Sequence, residues 1–148
     1  MVETTKILKA FNEKLKELYP KYKIYGLETK EGYKTPCFST EIEVRNNTYV
    51  NNYITLTHIV ITCDFLMTTV DTVEQMKVID TITKNFSKYL KVGDRTLHIY
   101  DVSQGYTGEY NDILTFDIDI FVYDNTYDKT IDKPITEVDV RLKRIGDK

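Results

Sequence analysis

The strongest constraint on the fold of this chain is the stretch from Asp112 to Tyr123, in which apolar and polar side chains alternate. The apolar members of the alternation are Leu114, Phe116, Ile118, Ile120 and Val122, and the polar members are Thr115, Asp117 and Asp119. Because side chains of a strand point alternately to its two faces, this period of two predicts a strand with one buried and one polar face. A sheet that buries only one face is typical of antiparallel strands.

Other stretches give weaker strand signals. Cys37–Val44 also alternates and is followed by Arg45–Thr48, whose composition favours a turn. Tyr49–Leu66 is rich in β-branched and aromatic residues but is longer than a typical strand, which favours a bulge or a protruding hairpin. Shorter strands are predicted at Lys23–Leu27 and Leu97–Ser103.

An amphipathic helix is predicted at about residues 5–18. Its apolar positions recur with the helical period, and they are Ile7, Leu8, Phe11, Leu15 and Leu18. Pro20 ends the helix, because the residue before a proline is disfavoured in helical conformation.

A second amphipathic helix is predicted at about residues 72–91 and opens at Asp71 and Thr72, where either Asp71 with Glu74 or Thr72 with Gln75 has capping-box spacing. Its expected buried stripe consists of Met76, Ile79, Ile82, Phe86 and Leu90. Gly93 stands where a C-terminal cap is expected.

These elements predict an α+β fold, with a mostly antiparallel sheet packed by the two helices. The length of 148 residues fits a single domain over residues 1–148, with its core at about 5–123. Residues 124–148 are expected to add a polar linker, Asp124–Pro134, and a C-terminal strand or arm, Ile135–Ile145.

Composition favours an intracellular globular protein with no membrane span. No run of apolar residues approaches the length that crosses a bilayer, and Met1–Lys9 lacks the apolar stretch of a signal peptide. The two cysteines, Cys37 and Cys63, have neither disulfide-framework nor metal-ligand spacing, so they are expected to be buried thiols.

Charge is unevenly distributed along the chain, although the net charge is only −3. Residues 1–34 carry eight basic and five acidic side chains, residues 94–140 carry three basic and eleven acidic ones, and residues 141–148 carry four basic and one acidic. Either these are solvated surfaces, or acidic and basic faces meet between subunits. An acidic chain without a basic stripe argues against binding of nucleic acid through its phosphates.

Signs of catalysis are few. None of the common nucleotide-binding, metalloprotease or hydrolase motifs occurs, and His58 and His98 both fall within predicted strands. Asp117 and Asp119 share one strand face, and Asp64 or Asp101 can approach them. Such carboxylates suit Mg²⁺, but they equally suit the polar face of an amphipathic strand, and no cofactor or metal is predicted.

Tyrosines at predicted loops indicate partner binding. Tyr33, Tyr49, Tyr106 and Tyr110 fall there, and tyrosine supplies stiff, amphipathic contact area at protein interfaces.

The segment Lys30–Phe38, reading KEGYKTPCF, resembles the bacteriophage tail terminator family of phages, prophages and phage-tail-like bacteriocins of Gram-positive bacteria. In that family a glycine, an aromatic, a basic residue and a proline lead into the first long strand. Tyr53–Ile61 is similar to the family's central strand, Met76–Leu90 to its crossing helix and Asp112–Tyr123 to its closing strand.

The resemblance implies a non-enzymatic protein that caps the tail tube as a ring, expected to be a hexamer, ends tube polymerisation and offers a surface for head attachment. Its partners would be other copies of itself, the tail tube protein and a head–tail connector, first in the bacterial host cytoplasm and then in the particle. DNA would at most pass through a lumen lined by Asp117 and Asp119. The expected interface residues are Lys30, Gly32, Tyr33, Lys34, Pro36, Tyr49, Tyr106 and Tyr110.

Three alternatives remain open at this point. The chain could be a head–tail connector or baseplate component, a metal-dependent hydrolase built on Asp64, Asp117 and Asp119, or a monomeric binding module. In the terminator interpretation, the strand at Ile135–Ile145 could add to the sheet edge of a neighbouring subunit.

Overall fold

A six-stranded sheet organises the chain, and the helices pack against one of its faces. The computed structural model describes residues 3–26 and 35–125. In chain order the elements are α1 (Thr4–Leu18), β1 (Lys23–Tyr25), β2 (Cys37–Tyr49), β3 (Ile54–Leu66), α2 (Thr72–Asn85), β4 (Tyr89–Val92), β5 (Arg95–Thr107) and β6 (Ile113–Asn125). The strand order is β1-β2-β3-β6-β5-β4. Only β1 and β2 are parallel, and every other neighbouring pair is antiparallel, in agreement with the α+β prediction.

The centre of the sheet is the pair β3 and β6, which remain in register from Ile54 opposite Asn125 to Phe65 opposite Leu114. The predicted alternation of β6 is confirmed, because all five of its predicted apolar side chains are buried. On β3 the side chains of the same face, including Ile59, Ile61 and Cys63, are also buried. Both strands therefore contribute one apolar face to the same core.

Helix α1 buries Ile7, Phe11 and Leu15 against this face, and the predicted helix is confirmed. The two helices meet where the Phe11 and Phe86 rings lie 4.7 Å apart. Beside them, Lys14 Nζ donates a hydrogen bond of 2.6 Å to the carbonyl oxygen of Asn85, the last residue of α2. This contact satisfies one of the carbonyls that a helix end leaves unpaired.

The start of α2 is as predicted. Asp71 is the N-cap, and its Oδ1 accepts hydrogen bonds from the backbone N–H groups of Val73 and Glu74. A side-chain acceptor at this position pairs N–H groups that have no partner inside the helix.

The end of α2 differs from the prediction. The helix stops at Asn85, and residues 89–91, predicted to form the last turn of the helix, belong instead to β4, which pairs with β5. Phe86 and Leu90 are buried as expected, but Phe86 is the C-cap of α2 and Leu90 lies on β4. Gly93, expected as a helix cap, instead has a φ of +61° in the turn that joins β4 to β5.

The buried stripe of α2 also needs correction. Met76 is 58% exposed, whereas Gln75 is buried and donates from Nε2 to the carbonyl oxygen of Asp112, 3.0 Å away. The helix therefore presents Gln75, Val78 and Ile82 to the core, a face rotated from the one that the apolar pattern indicated.

The strand boundaries at the β2–β3 hairpin differ from the predicted ones. The turn predicted at residues 45–48 is wrong, because β2 continues to Tyr49 and the chain turns at residues 50–53. The strand predicted at Tyr49–Leu66 begins only at Ile54, and the bulge expected within it lies instead on β2, where the register shifts between Val44 and Asn46 at Arg45. Likewise, β5 extends to Thr107 and β6 to Asn125, which removes two residues from the predicted linker. The remaining linker and the strand at 135–145 lie outside the described residues.

The register defines two opposite ends of the sheet. At the entry end, Pro36 leads into β2, β3 finishes at Leu66, and residues 108–112 join β5 to β6. At the exit end, residues 50–53 form the β2–β3 turn and β6 finishes at Asn125.

Both cysteines are buried and unpaired, as predicted. Burial raises the pKa of the Cys37 thiol. It also raises the pKa of Cys63, and the nearby Asp64 carboxylate acts in the same direction. Among the helices of the described residues, none has the length and apolar character to cross a bilayer.

The buried face of α2 predicts that two similar side-chain truncations lower the free energy of unfolding by different amounts. Ile82→Ala should lower the free energy of unfolding by about 2–5 kcal/mol, because it leaves a cavity in the core. Met76→Ala on the exposed face is the matched control and should change it by less than about 0.5 kcal/mol. Urea denaturation measures the free energy of unfolding of both variants. Similar losses for the two would support the buried face that the apolar pattern predicted.

Candidate assembly surfaces

The sheet face turned away from the helices is rich in carboxylates, and we call it the acidic face. It consists of Glu41 and Glu43 on β2, Asp64 on β3, Asp101 on β5, and Asp117 and Asp119 on β6. Register brings them together in rows across the sheet. Asp119 lies opposite Asp101 on β5, and Asp117 lies opposite Thr62 on β3. The acidic face therefore follows directly from the alternation that builds the core.

Hydrogen bonds hold the side chains of Asp117 and Asp119, the two residues predicted to line a lumen, in position. Thr62 Oγ1 donates to Asp117 Oδ1 at 3.1 Å, and His58 Nε2 lies 2.9 Å from Asp119 Oδ1. These contacts cross from β3 to β6, so the central pairing also holds the carboxylates in place. The prediction that Asp117 and Asp119 share a face is confirmed.

Asp64 lies in the same region and is half-buried. Thr115 Oγ1 donates a hydrogen bond of 2.8 Å to its Oδ1. Burial raises the pKa of the Asp64 carboxyl, the Thr115 hydrogen bond lowers it, and the charge of Asp117 raises it, with a net upward shift. Compared with the unfolded chain, the fold therefore makes the charged form of this side chain less favourable.

Aromatic rings continue the acidic face toward the exit end. The His58 and Phe121 rings stack with centroids 4.5 Å apart, and Tyr100 meets Phe121 edge-on at 5.1 Å. Neither Phe121 nor Tyr100 is among the residues predicted from sequence to have a role. Phe121 could have been found from its place in the β6 alternation, whereas Tyr100 lies at a register shift between Ile99 and Asp101 that β5 alone does not reveal.

The acids give the hydrolase alternative no ligand set. Within residues 3–26 and 35–125, no three histidine, cysteine or acidic side chains are arranged to hold a metal ion. An oxygen of Asp64 and one of Asp117 instead accept threonine hydroxyls.

The predicted interface residues fall at opposite ends of the sheet. Pro36, which follows a cis peptide bond, and Tyr110 lie at the entry end, and Tyr110 is 79% exposed. Tyr49 lies at the exit end and is 72% exposed. Tyr49 and Tyr106 are strand residues rather than loop residues, since β2 and β5 are longer than predicted. The remaining predicted residues, Lys30, Gly32, Tyr33 and Lys34, lie outside the described residues.

The outer edge of β2 is the longest strand edge without a neighbour in the described part of the chain. β1 pairs only with residues 37–39 of β2, and from residue 40 to Tyr49 the described residues place no strand on that side. An edge of this kind can accept a strand from another chain.

Comparison with known proteins identifies one family. A family model described as phage tail terminator protein matches residues 6–132, which include most of α1 and all the other described elements. A search of curated proteins found no match.

The raised pKa of Asp64 predicts that removing its charge stabilises the folded protein by an amount that depends on pH. A carboxyl whose pKa is raised in the folded state weakens folding above that pKa, and the penalty disappears as pH falls toward the unfolded value. Asp64→Asn keeps an acceptor for Thr115 and should stabilise the protein at pH 7 by on the order of 0.5 kcal/mol. The gain should fade by about pH 3.5.

Thermal unfolding of this variant at both pH values makes the measurement. Asp101→Asn, at an exposed position on the same face, is the control and should give a smaller gain. A gain for Asp64→Asn that is independent of pH would contradict the assigned charge effect.

Proposed function

Because the chain belongs to the phage tail terminator family, a structural and non-enzymatic kind of protein, we propose that it closes the end of a tail tube as a ring. The family match over residues 6–132 carries this proposal, since it covers nearly the whole described fold. Closing the tube would end its polymerisation and offer a surface for head attachment. The ring would form in the host cytoplasm from six copies and then remain in the particle.

The two ends of the sheet would supply the two different contact surfaces that such a ring requires. In this proposal, one end binds the last ring of the tail tube and the other binds the head connector. Exposed tyrosines at both ends, Tyr110 at one and Tyr49 at the other, support these roles. Lys30, Gly32, Tyr33 and Lys34 immediately precede the entry end in sequence and would belong to its contact surface, together with Pro36 and Tyr106.

The acidic face would line the lumen of the ring, with Asp117 and Asp119 at its centre. Carboxylates repel DNA phosphates, so DNA would pass without binding. The contacts with Thr62 and His58 support this role because they hold both carboxylates in fixed positions on the sheet.

The C-terminal residues would serve as an arm between subunits. In this proposal, the strand predicted at Ile135–Ile145 leaves its own subunit and adds to the sheet of the next. The outer edge of β2, which pairs with no strand of the described residues beyond Ser39, supports an acceptor position on each subunit.

Tube capping is the direct test of the ring. Tail tube protein from the same particle should polymerise into long tubes alone and into shorter tubes, closed at one end, when this chain is added. Negative-stain electron microscopy measures tube length against the ratio of the two proteins, with tube protein alone as the control. Tubes of unchanged length and open at both ends would exclude the terminator role.

Charge reversal tests the lumen. Asp117→Lys combined with Asp119→Lys should let rings retain DNA, with binding about tenfold or more above that of the unchanged chain at low salt. Asp80→Lys combined with Asp94→Lys makes the same charge change at exposed positions off the acidic face and should have a smaller effect. Filter binding measures both, and equal DNA retention by the two double variants would place the acidic face outside the lumen.

A further inference from the structure

We propose that residues 139–144 of a neighbouring copy add as an antiparallel strand along residues 40–45 of β2. This inference rests on the assembly role proposed above and specifies the acceptor, the direction and the register of the contact.

The acceptor is the part of the β2 edge that β1 leaves open. β1 ends its pairing at Ser39, and the next residues of β2 meet no other described strand on that side. Val44 is 47% exposed although it belongs to the face that packs on the helices, since it lies opposite the core residue Ile59. An added strand would cover both the backbone edge and this apolar side chain.

A groove on the helix side of the sheet adjoins the open edge. It has a volume of about 680 Å³ and lies between α1 and β1, with Leu8 and Ile24 among its lining residues. Asn12 also lines the groove, and its Oδ1 accepts a hydrogen bond of 2.8 Å from Thr40 Oγ1. This contact places the groove directly beside the first open residue of β2. A side chain opposite Thr40 would therefore face this groove, and when Leu142 lies opposite Ile42 that side chain is Arg144, with Glu13 among the lining residues.

The C-terminal sequence fits the apolar side of this site. In the antiparallel register that sets Leu142 opposite Ile42, Val140 falls opposite Val44. Residues directly opposite in adjacent strands share a face, so both pairs would lie on the helix side.

The same register pairs unlike charges on the acidic face. Lys143 falls opposite Glu41, Arg141 opposite Glu43 and Asp139 opposite Arg45. Arg45 Nε already lies 2.8 Å from Glu43 Oε1, which shows that its side chain occupies this face. Shifting the added strand by two residues in one direction sets Asp139 against Glu43, and in the other sets Arg141 against Arg45. Attraction between cross-strand charges therefore selects one register.

The path of the chain favours a neighbouring copy as the donor. β6 finishes at the exit end beside Ile54. To reach the outer edge of its own β2, the following segment would have to cross the turn at residues 50–53 at that same end. Connections rarely cross on one edge of a sheet. The nine residues 126–134 can instead span about 30 Å toward an adjacent subunit.

Disulfide trapping between two single variants tests the inference. A mixture of chains carrying Val44→Cys and chains carrying Val140→Cys should form a covalent dimer under mild oxidation. Chains carrying Val44→Cys mixed with chains carrying Arg141→Cys are the matched control and should trap several-fold less, because the two side chains would lie on opposite faces of the sheet. The unchanged chain, whose two cysteines are buried, is the blank.

Charge exchange provides a second measurement in the same mixtures. Glu43→Arg in the Val44→Cys chain should reduce trapping about fivefold, and Arg141→Glu in the Val140→Cys chain should restore it. Restored trapping requires the two side chains to be neighbours. If Glu43→Arg reduced trapping only by disturbing folding, Arg141→Glu in the other chain would not restore it.

Trapping and tube capping separate the two proposals. Both mixtures are oxidised with and without tail tube protein, and tube lengths are recorded for the same samples. Capped tubes without a trapped dimer would overturn the strand addition alone, whereas trapped dimers with uncapped tubes would support it and exclude the terminator role. A chain carrying both Val44→Cys and Val140→Cys that closes only on itself would overturn donation between copies.

Discussion

The pairing of β3 with β6 is the constraint on which the rest of this structure depends. Each strand is thirteen residues long, and their register remains unbroken along almost the full length. A shift of β6 by one residue against β3 would turn Ile118 to the polar side and bring Asp117 into the core. Core packing, helix docking and the acidic face therefore depend on the same register.

The elements predicted well from sequence are those whose signal is local. The period of β6 and the start of α2 at Asp71 and Thr72 needed no information from the rest of the chain. The errors arose where distant pairing decided the outcome. Apolar residues four apart at Phe86 and Leu90 fit a helix, but residues 89–92 gain a full set of partners on β5 when they form a strand. The polar residues after Val44 resembled a turn because both faces of β2 are exposed there, and no described strand pairs with its outer edge.

The features of the candidate surfaces likewise divide into those predictable from one strand and those that depend on pairing between strands. Alternation alone placed Asp117 and Asp119 on one face, because both belong to a single strand. Their partners Thr62 and His58 come from β3, so identifying these contacts required the register between two strands about sixty residues apart in sequence. The bulges at Arg45 and Tyr100 had no signature in their own strands, and they decide which side chains share a face with the acids.

The length of the central strands has a consequence for how this protein can diversify. Thirteen residues of extended chain span about 40 Å, which separates Tyr49 at one end from Tyr110 at the other far beyond contact range. Substitutions at such separations add independently in free energy. If the two ends bind partners as proposed, each contact surface would change independently of the other, while the paired strands between them keep a constant spacing.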